Sequence, residues 1–262
     1  MNEFLIIFSI GFLVSVISGI LGLGGAVVLI PAYLYLPQMF GLPPLDIKII
    51  SGLTSVQVFA SSLLGALIHK KKGSVAPSLL YSIGIPMAVT ALIGAVLSHY
   101  VNGHFIILIF AIMAVIGATL MFSKNKKDEL EISSEQIIFN KPLAFVIAIL
   151  VGTFGGMVGA PGAFLLAPLM IVVLKIPTRV TIGSTLGIIL FTSFSASIGK
   201  IIAGQVDFLI TLFAVIGSLF GVAIGSNLSY KLKPKILRTS LAILIIGIAI
   251  QMMYKFLFDL LN

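Results

Sequence analysis

The chain has 262 residues, of which 59% are hydrophobic and only 9% are charged. Soluble domains carry about 25% charged residues, so this composition excludes a cytosolic enzyme and a nucleic-acid-binding module. It predicts an integral membrane protein in contact with a lipid bilayer. The lack of cysteine excludes a secreted domain held by disulfides. The net charge of +8 is typical of basic loops that stay on the cytoplasmic side of a membrane.

In chain order, the first apolar segment, 4–36, is too long for one ordinary span, and the glycine-rich sequence GLGGA interrupts it at 22–26. A second such segment, 143–174, is interrupted by GAPGA at 159–163. Glycine and proline weaken helices, so each segment is predicted to be broken. Other apolar stretches have the length of membrane-spanning helices. They are 47–68, 75–98, 104–122, 180–202, 207–229 and 236–257.

The two halves of the chain resemble each other. Gly19 and Pro31 recur as Gly156 and Pro168 at an offset of 137, and Thr54 recurs as Thr185 at an offset of 131. The polar segment 123–141 separates them. The predicted organisation is a first transmembrane repeat at 1–122, a cytoplasmic linker at 123–141 and a second repeat at 142–262.

The distribution of Lys and Arg favours one topology. If each broken segment is a re-entrant hairpin, thirteen basic residues lie inside and three outside; if each crosses the membrane, the best split is nine to seven. The predicted fold is all-α, with two inverted four-element repeats, each a broken re-entrant hairpin followed by three transmembrane helices. Both termini then face outward. Eight plain spans remain the alternative.

Reactive groups are scarce within the apolar segments. All eight carboxylates lie outside the apolar cores of these segments, with Asp207 at the first position of 207–229, and the three histidines lie at span ends. This pattern predicts no catalytic residue, no metal site and no cofactor.

The two breaks are candidate anion sites. A broken helix leaves backbone N–H groups free at the start of the next half-helix, where the helix dipole also favours an anion. The alternative is that these small residues only permit close helix packing. The residues predicted to contact a substrate are Gly22, Gly24, Gly25 and Ala26 in the first break, and Gly159, Gly162 and Ala163 in the second.

Polar residues follow each break on the next helix. Thr54, Gln57 and Ser61 share one helical face, and Thr185 and Thr192 repeat it, so these side chains are predicted to line the substrate path. Hydrogen bonds between helices are the alternative role. His69 and Lys200 occupy equivalent positions and are predicted to lie at the two mouths of the path. The alternative for Lys200 is that a lysine at a span end only extends its ammonium to the membrane surface.

These features together resemble the sulfite exporter TauE/SafE family of membrane proteins. The resemblance covers nearly the whole chain. It rests on Gly19 to Pro31 and Gly155 to Pro168, on Gly52 to Ser55 and Gly183 to Leu186, and on His69 to Val75 and Gly204 to Asp207. Ala160 and Pro161 depart from the more glycine-rich family form. The resemblance implies a cytoplasmic-membrane transporter of sulfite, organosulfonates or related sulfur-containing anions.

The residues and the resemblance together predict export of a small sulfur-containing oxyanion, bound between the two half-helix tips near the midplane. Two other functions stay open: an ion- or proton-coupled importer of a small anion, and a non-transporting membrane scaffold. The expected partners are the anionic substrate and the lipid bilayer, without nucleic acid. A homo-oligomer is compatible with the sequence.

Overall fold

The computed structural model describes residues 3–21, 26–71, 76–121, 137–160, 162–229 and 231–261, and the regular elements in these ranges are all helical. Those of the first half are α1 (Glu3–Leu21), α2 (Ala26–Met39), α3 (Ile47–Lys71), α4 (Pro77–Leu97, with a π-helical turn at Leu80–Gly84) and α5 (Gly103–Met121). Those of the second half are α6 (Lys141–Val158), α7 (Ala163–Pro168, continued by the π-helical turn Leu169–Val173), α8 (Thr178–Ile202), α9 (Phe208–Ser229) and α10 (Pro234–Leu261).

Seven helices of the described ranges are long and apolar enough to cross a membrane. Five of them, α3, α4, α5, α8 and α9, coincide with predicted spans. The sixth predicted span, 236–257, lies within α10, whose described apolar stretch is the shorter Thr239–Gln251. The remaining two are α1 and α6. Each broken segment therefore consists of a long first helix and a shorter second one, whereas the sequence predicted two half-helices.

The helix boundaries recur between the halves. Helix α3 begins at Ile47 and α8 at Thr178, a difference of 131 residues, and they end at Lys71 and Ile202, again 131 residues apart. The starts of α4 and α9, and of α5 and α10, differ by the same number. Most of the predicted linker, 123–136, lies outside the described residues. The boundaries agree with the repeat that the sequence predicts.

The helices before and after each break run in opposite directions. A Cβ atom placed on Gly11 in α1 would lie 3.3 Å from Tyr33 Oη in α2. A straight helix would separate these residues by about 33 Å. In the second half, a Cβ on Gly162 would overlap the side chain of Val151 in α6. We call α1 with α2 the first hairpin and α6 with α7 the second hairpin.

Each hairpin packs its long helix against a helix of the other half. A Cβ on Gly225 in α9 would overlap the carbonyl oxygen of Val16 in α1, and a Cβ on Gly94 in α4 would overlap that of Thr153 in α6. These two contacts are equivalent under the repeat, because 94 and 225 differ by 131 and 16 and 153 differ by 137. Glycine is required where two backbones approach this closely. The halves are therefore intertwined rather than side by side.

Helices α3 and α8 cross in the centre of the protein. The hydroxyl oxygens of Ser62 and Ser193, which are equivalent residues, lie 3.4 Å apart. The rings of Phe59 and Phe194 have centroids 5.3 Å apart. A Cβ on Gly65 would lie 3.4 Å from the Leu186 side chain. Along these contacts the residue numbers of α8 decrease as those of α3 increase, so the two helices are antiparallel.

Helices α4 and α8 run in the same direction. A Cβ on Gly84, near the start of α4, would lie 3.7 Å from Ile188, and one on Gly199, near the end of α8, would lie 2.6 Å from Ala95 Cβ. The end of α4 and the end of α8 therefore meet at one end of the molecule. The start of α3 is also there, because the ammonium of Lys48 donates to the carbonyl of His99 at 3.1 Å.

Candidate functional site

The tip of the second hairpin is a tight glycine turn. Gly159 ends α6 with φ of 78° and Gly162 precedes α7 with φ of 62°. Positive φ favours glycine. A Cβ on Gly159 would also overlap the carbonyl oxygen of Ser51 in α3. The tip therefore presses directly against the first turns of α3.

Two hydroxyls of α3 hold this tip. Thr54 Oγ1 donates to the Gly159 carbonyl at 3.0 Å and lies 3.1 Å from the Ser51 carbonyl. Ser55 Oγ lies 3.4 Å from the same Gly159 oxygen. The sequence predicted that Thr54 faces a bound anion. In this structure its proton is directed to backbone carbonyls, so it binds the hairpin tip instead.

Gln57 takes part in a buried pair that sequence analysis missed. Its Oε1 accepts a hydrogen bond of 3.0 Å from Tyr33 Oη in α2, while its Nε2 is buried with no partner among the residues that the structure describes. Both side chains are fully buried. Tyr33 gave no signal as a site residue because a tyrosine in an apolar segment is ordinary. The pair leaves one free amide donor inside the protein.

The other predicted lining hydroxyls also lie beside acceptors of the protein. Ser61 donates to the Val58 carbonyl at 3.2 Å, and Thr192 lies 3.1 Å from the Ile189 carbonyl of its own helix. Thr185 Oγ1 lies 3.6 Å from the sulfur of Met170. All three side chains are buried. Their hydroxyls satisfy protein acceptors, which is typical of serine and threonine in membrane helices.

Lys200 is the buried cation of this region. It lies in the last turn of α8 with no exposed surface. Its Nζ donates to Ser98 Oγ at 2.7 Å, to the Met157 carbonyl at 2.8 Å and to Gln205 Oε1 at 3.0 Å. All three acceptors are uncharged. The sequence predicted Lys200 as a mouth residue, but it identified none of these three partners.

Lys200 and the second hairpin tip belong to one cluster. Met157 is two residues before Gly159, and a Cβ on Gly52, beside Ser51, would overlap the carbonyl oxygen of Gln205. The start of α3, the end of α8 and the hairpin tip thus meet at one end of the α3–α8 pair. The cluster combines a buried positive charge with glycine backbone and amide groups, which can attract and orient a small anion.

The structure does not gather all predicted site residues at one point. Thr54 and the second tip lie about 12 Å along α3 from the crossing at Ser62, at 1.5 Å per residue. The second tip is therefore displaced from the centre, where the sequence placed it. Thr54 and Thr185 lie on opposite sides of the crossing, because α3 and α8 are antiparallel.

Some predicted site residues have no described environment. Gly22, Gly24 and Gly25 of the first break lie outside the described residues. Ala26 and Ala163 are the first residues of α2 and α7. His69 lies in the last turns of α3, and its side chain falls outside the description. These positions stay predictions.

Comparison with known proteins identifies relatives along the whole chain. The family described as sulfite exporter TauE/SafE matches residues 7–252. The chain is 25% identical to the probable membrane transporter protein YunE of Bacillus subtilis (strain 168), over 98% of this chain and 100% of that protein. It is 22% identical to the probable membrane transporter protein MJ0441 of Methanocaldococcus jannaschii, over 89% of each chain. A probable membrane transporter protein of Xylella fastidiosa (strain 9a5c) is 24% identical, over 94% of this chain and 93% of its own. No solved structure matches.

Proposed function

Because the chain belongs to the sulfite exporter TauE/SafE family of membrane transporters, we propose that it exports a small sulfur-containing oxyanion across the cytoplasmic membrane. The substrate is of the sulfite or organosulfonate class. The protein is a multi-pass membrane transporter and not an enzyme.

Buried Lys200 is the observation that carries the choice of an anion. A lysine ammonium inside a membrane protein is expensive and marks an ion path or a substrate contact. Its three acceptors carry no charge, so its positive charge is not neutralised by them. An anion that enters the cluster would supply the missing negative charge.

The membrane potential supports export. A potential negative inside drives each negative charge outward by about 2.3 kcal/mol per 100 mV. Efflux of an anion therefore needs no coupled cation. The apolar cores of the predicted segments contain no carboxylate that could bind such a cation or relay protons, since Asp207 lies at the first position of 207–229.

The helix directions support an inverted repeat. Helices α3 and α8 are equivalent by sequence and antiparallel in space, so an axis that relates them lies across the helices, in the plane of the membrane. Eight plain spans would make α3 and α8 parallel and α4 and α8 antiparallel, opposite to the packing of Ser62 with Ser193 and of Ala95 with Gly199. Inverted repeats with interrupted helices are common in secondary transporters.

Topology can be tested with single cysteines, because the chain has none of its own. Met39 and Lys175, at the far ends of the two hairpins, are both exposed. With a membrane-impermeant maleimide, we expect Met39→Cys to be labelled in intact cells and Lys175→Cys only after permeabilisation. Labelling of both from the same side would instead support eight plain spans.

Transport can be tested in proteoliposomes with an imposed potential. We expect sulfite, or an organosulfonate such as sulfoacetate, to leave the negative compartment faster as the potential rises, and sulfate, thiosulfate and taurine serve as the comparison panel. Flux that follows a proton or sodium gradient at zero potential would indicate a coupled importer. If none of these five compounds crosses the membrane, the proposed substrate class is contradicted and a scaffold role is left.

A further inference from the structure

We propose that Lys200, Gln205 and Ser98 form the oxyanion-binding site of this transporter, and that the bound anion replaces the Met157 carbonyl as an acceptor for Lys200. This inference rests on the proposed function and deepens it, because it names the groups that contact the anion. It places the site at the end of α8 rather than between two half-helix tips at the midplane.

The cluster joins four segments of the chain. Lys200 lies in the last turn of α8, Ser98 directly after α4, Gln205 in the connection to α9, and Met157 in the last turn of α6. Ser98 Oγ also lies 3.1 Å from Gln205 Oε1 and 2.6 Å from the Ala95 carbonyl. The side chains of Lys200, Ser98 and Gln205 are all buried. These bonds hold three helix ends and a connecting segment together around one ammonium group.

The hydrogen bonds of Lys200 show how an anion can enter. An ammonium has three N–H groups, and all three are used by Ser98, Gln205 and Met157. A new acceptor must therefore displace one of them. The Met157 carbonyl belongs to the helix that leads into the second hairpin tip, whereas Gln205 still has its Nε2 amide group to offer an anion. Exchange of the Met157 carbonyl for the anion thus releases the tip while Lys200 keeps three bonds.

Unused donors lie in the same cluster. Gln205 is 3% exposed, and its Nε2 has no partner within the described part of the chain, although its Oε1 is bound to Lys200. Within the same described part, Ser51 Oγ is likewise buried without a partner, and the neighbouring Gly52 touches the Gln205 backbone. A buried donor without an acceptor is unfavourable. An oxyanion has only acceptors, so its oxygens complement the Gln205 amide and the Lys200 ammonium.

A purely structural role for Lys200 is the competing explanation. In that case the lysine only ties helix ends together, and an anion in solution has no effect on the cluster. The two explanations differ in one measurable property. Only a binding site makes the stability of the protein depend on oxyanions through Lys200 and Gln205.

The decisive variant is Gln205→Glu. It keeps the shape of the side chain and places a carboxylate beside Lys200, where it occupies the position of the bound anion. In the purified full-length protein, we expect sulfite or sulfate to raise the melting temperature of the wild type more than chloride does at equal ionic strength. Gln205→Glu should lose this oxyanion-specific shift while staying at least as stable as the wild type without anion.

Lys200→Met provides a second variant with the charge removed. We expect at least about a tenfold loss of oxyanion affinity, since a charge-assisted hydrogen bond is removed. Lys48→Met is the matched control for a nearby cation, and Gln251→Glu is the control for an added carboxylate at an exposed position of α10. Both controls should keep the wild-type shift. If Lys200→Met does not fold, the result for Gln205→Glu decides alone.

The outcomes separate this site from the proposed function. A wild-type shift in Gln205→Glu, or no oxyanion-specific shift in the wild type, overturns the site even if the protein transports sulfite. A shift that Gln205→Glu abolishes, in a protein that moves no sulfur oxyanion in proteoliposomes, supports the site and overturns the substrate class.

Discussion

The first and second hairpins pack through equivalent contacts but are surrounded by different side chains. Around the first hairpin, Ser15 and Ser18 in α1 are buried hydroxyls with no partner among the described residues, and Tyr33 bonds to Gln57. The equivalent positions around the second hairpin are Gly152, Gly155, Met170 and Ile188, at offsets of 137 and 131. The backbone contacts recur in both halves, whereas these four polar side chains occur only around the first hairpin.

At the ends of α3 and α8, the lysine and the glutamine belong to the second half of the chain. Lys200 and Gln205 lie beside the second tip, and the equivalent residues of the first half are His69 and Ser74. A lysine is therefore found at one of these two equivalent positions and a histidine at the other. Equivalent helix ends thus carry different polar side chains, and the anion site proposed above uses those of the second half.

The largest effect is expected from the shared glycine contacts. Gly94→Ala and Gly225→Ala each place a Cβ on a backbone oxygen of the neighbouring helix and should each destabilise the protein by about 3 kcal/mol. Gly247→Ala is the matched control, because nothing lies within 4 Å of its Cβ position, and it should be neutral or gain up to about 1 kcal/mol. Thermal unfolding in detergent measures all three. Sensitivity at only one of the two contact glycines would break the equivalence of the hairpins.

A smaller effect is expected from the pair that only the first half possesses. Tyr33→Phe leaves the Gln57 amide without any partner and should cost about 1 to 3 kcal/mol. Adding Gln57→Leu should recover most of this loss, because the first half then resembles the apolar pair Met170 and Ile188. A double-mutant cycle on unfolding free energies measures the coupling. If the double variant is less stable than Tyr33→Phe, the Gln57 amide makes a stabilising contact other than its hydrogen bond with Tyr33.

The smallest effect concerns the two equivalent threonines. Thr54→Val removes a hydroxyl that binds the Gly159 carbonyl and should cost about 1 kcal/mol. Thr185→Val removes only a 3.6 Å contact with the Met170 sulfur and should cost less than Thr54→Val. The same unfolding measurement, combined with flux in proteoliposomes, separates stability from transport. Equal losses would show that Thr185 holds the first hairpin as Thr54 holds the second.

The sequence determined the membrane class and most helix positions, and it predicts a repeat. Residues match between the halves at an offset of 137 before one loop and 131 after it. A difference in the length of that loop changes the offset without disturbing the matches on either side, so the offsets predicted equivalent helices. The breaks at 22–26 and 159–163 were recognisable because the low helix propensity of glycine depends on residue type alone. The short length of the second helix in each hairpin could not be predicted, because an apolar sequence does not specify where its helix ends.

Only the tertiary structure decided what the polar side chains do. Thr54 was predictable as a polar residue on a helix face, but its partner Gly159 is 105 residues away. The partners of Lys200 come from positions 98, 157 and 205, and no local pattern connects them. Periodicity reports which side of a helix is polar, while hydrogen bonds between helices depend on crossings that no single segment encodes. The contacts between the buried ammonium and its uncharged acceptors therefore depend on how α4, α6 and α8 pack together, which the sequence of each helix does not specify.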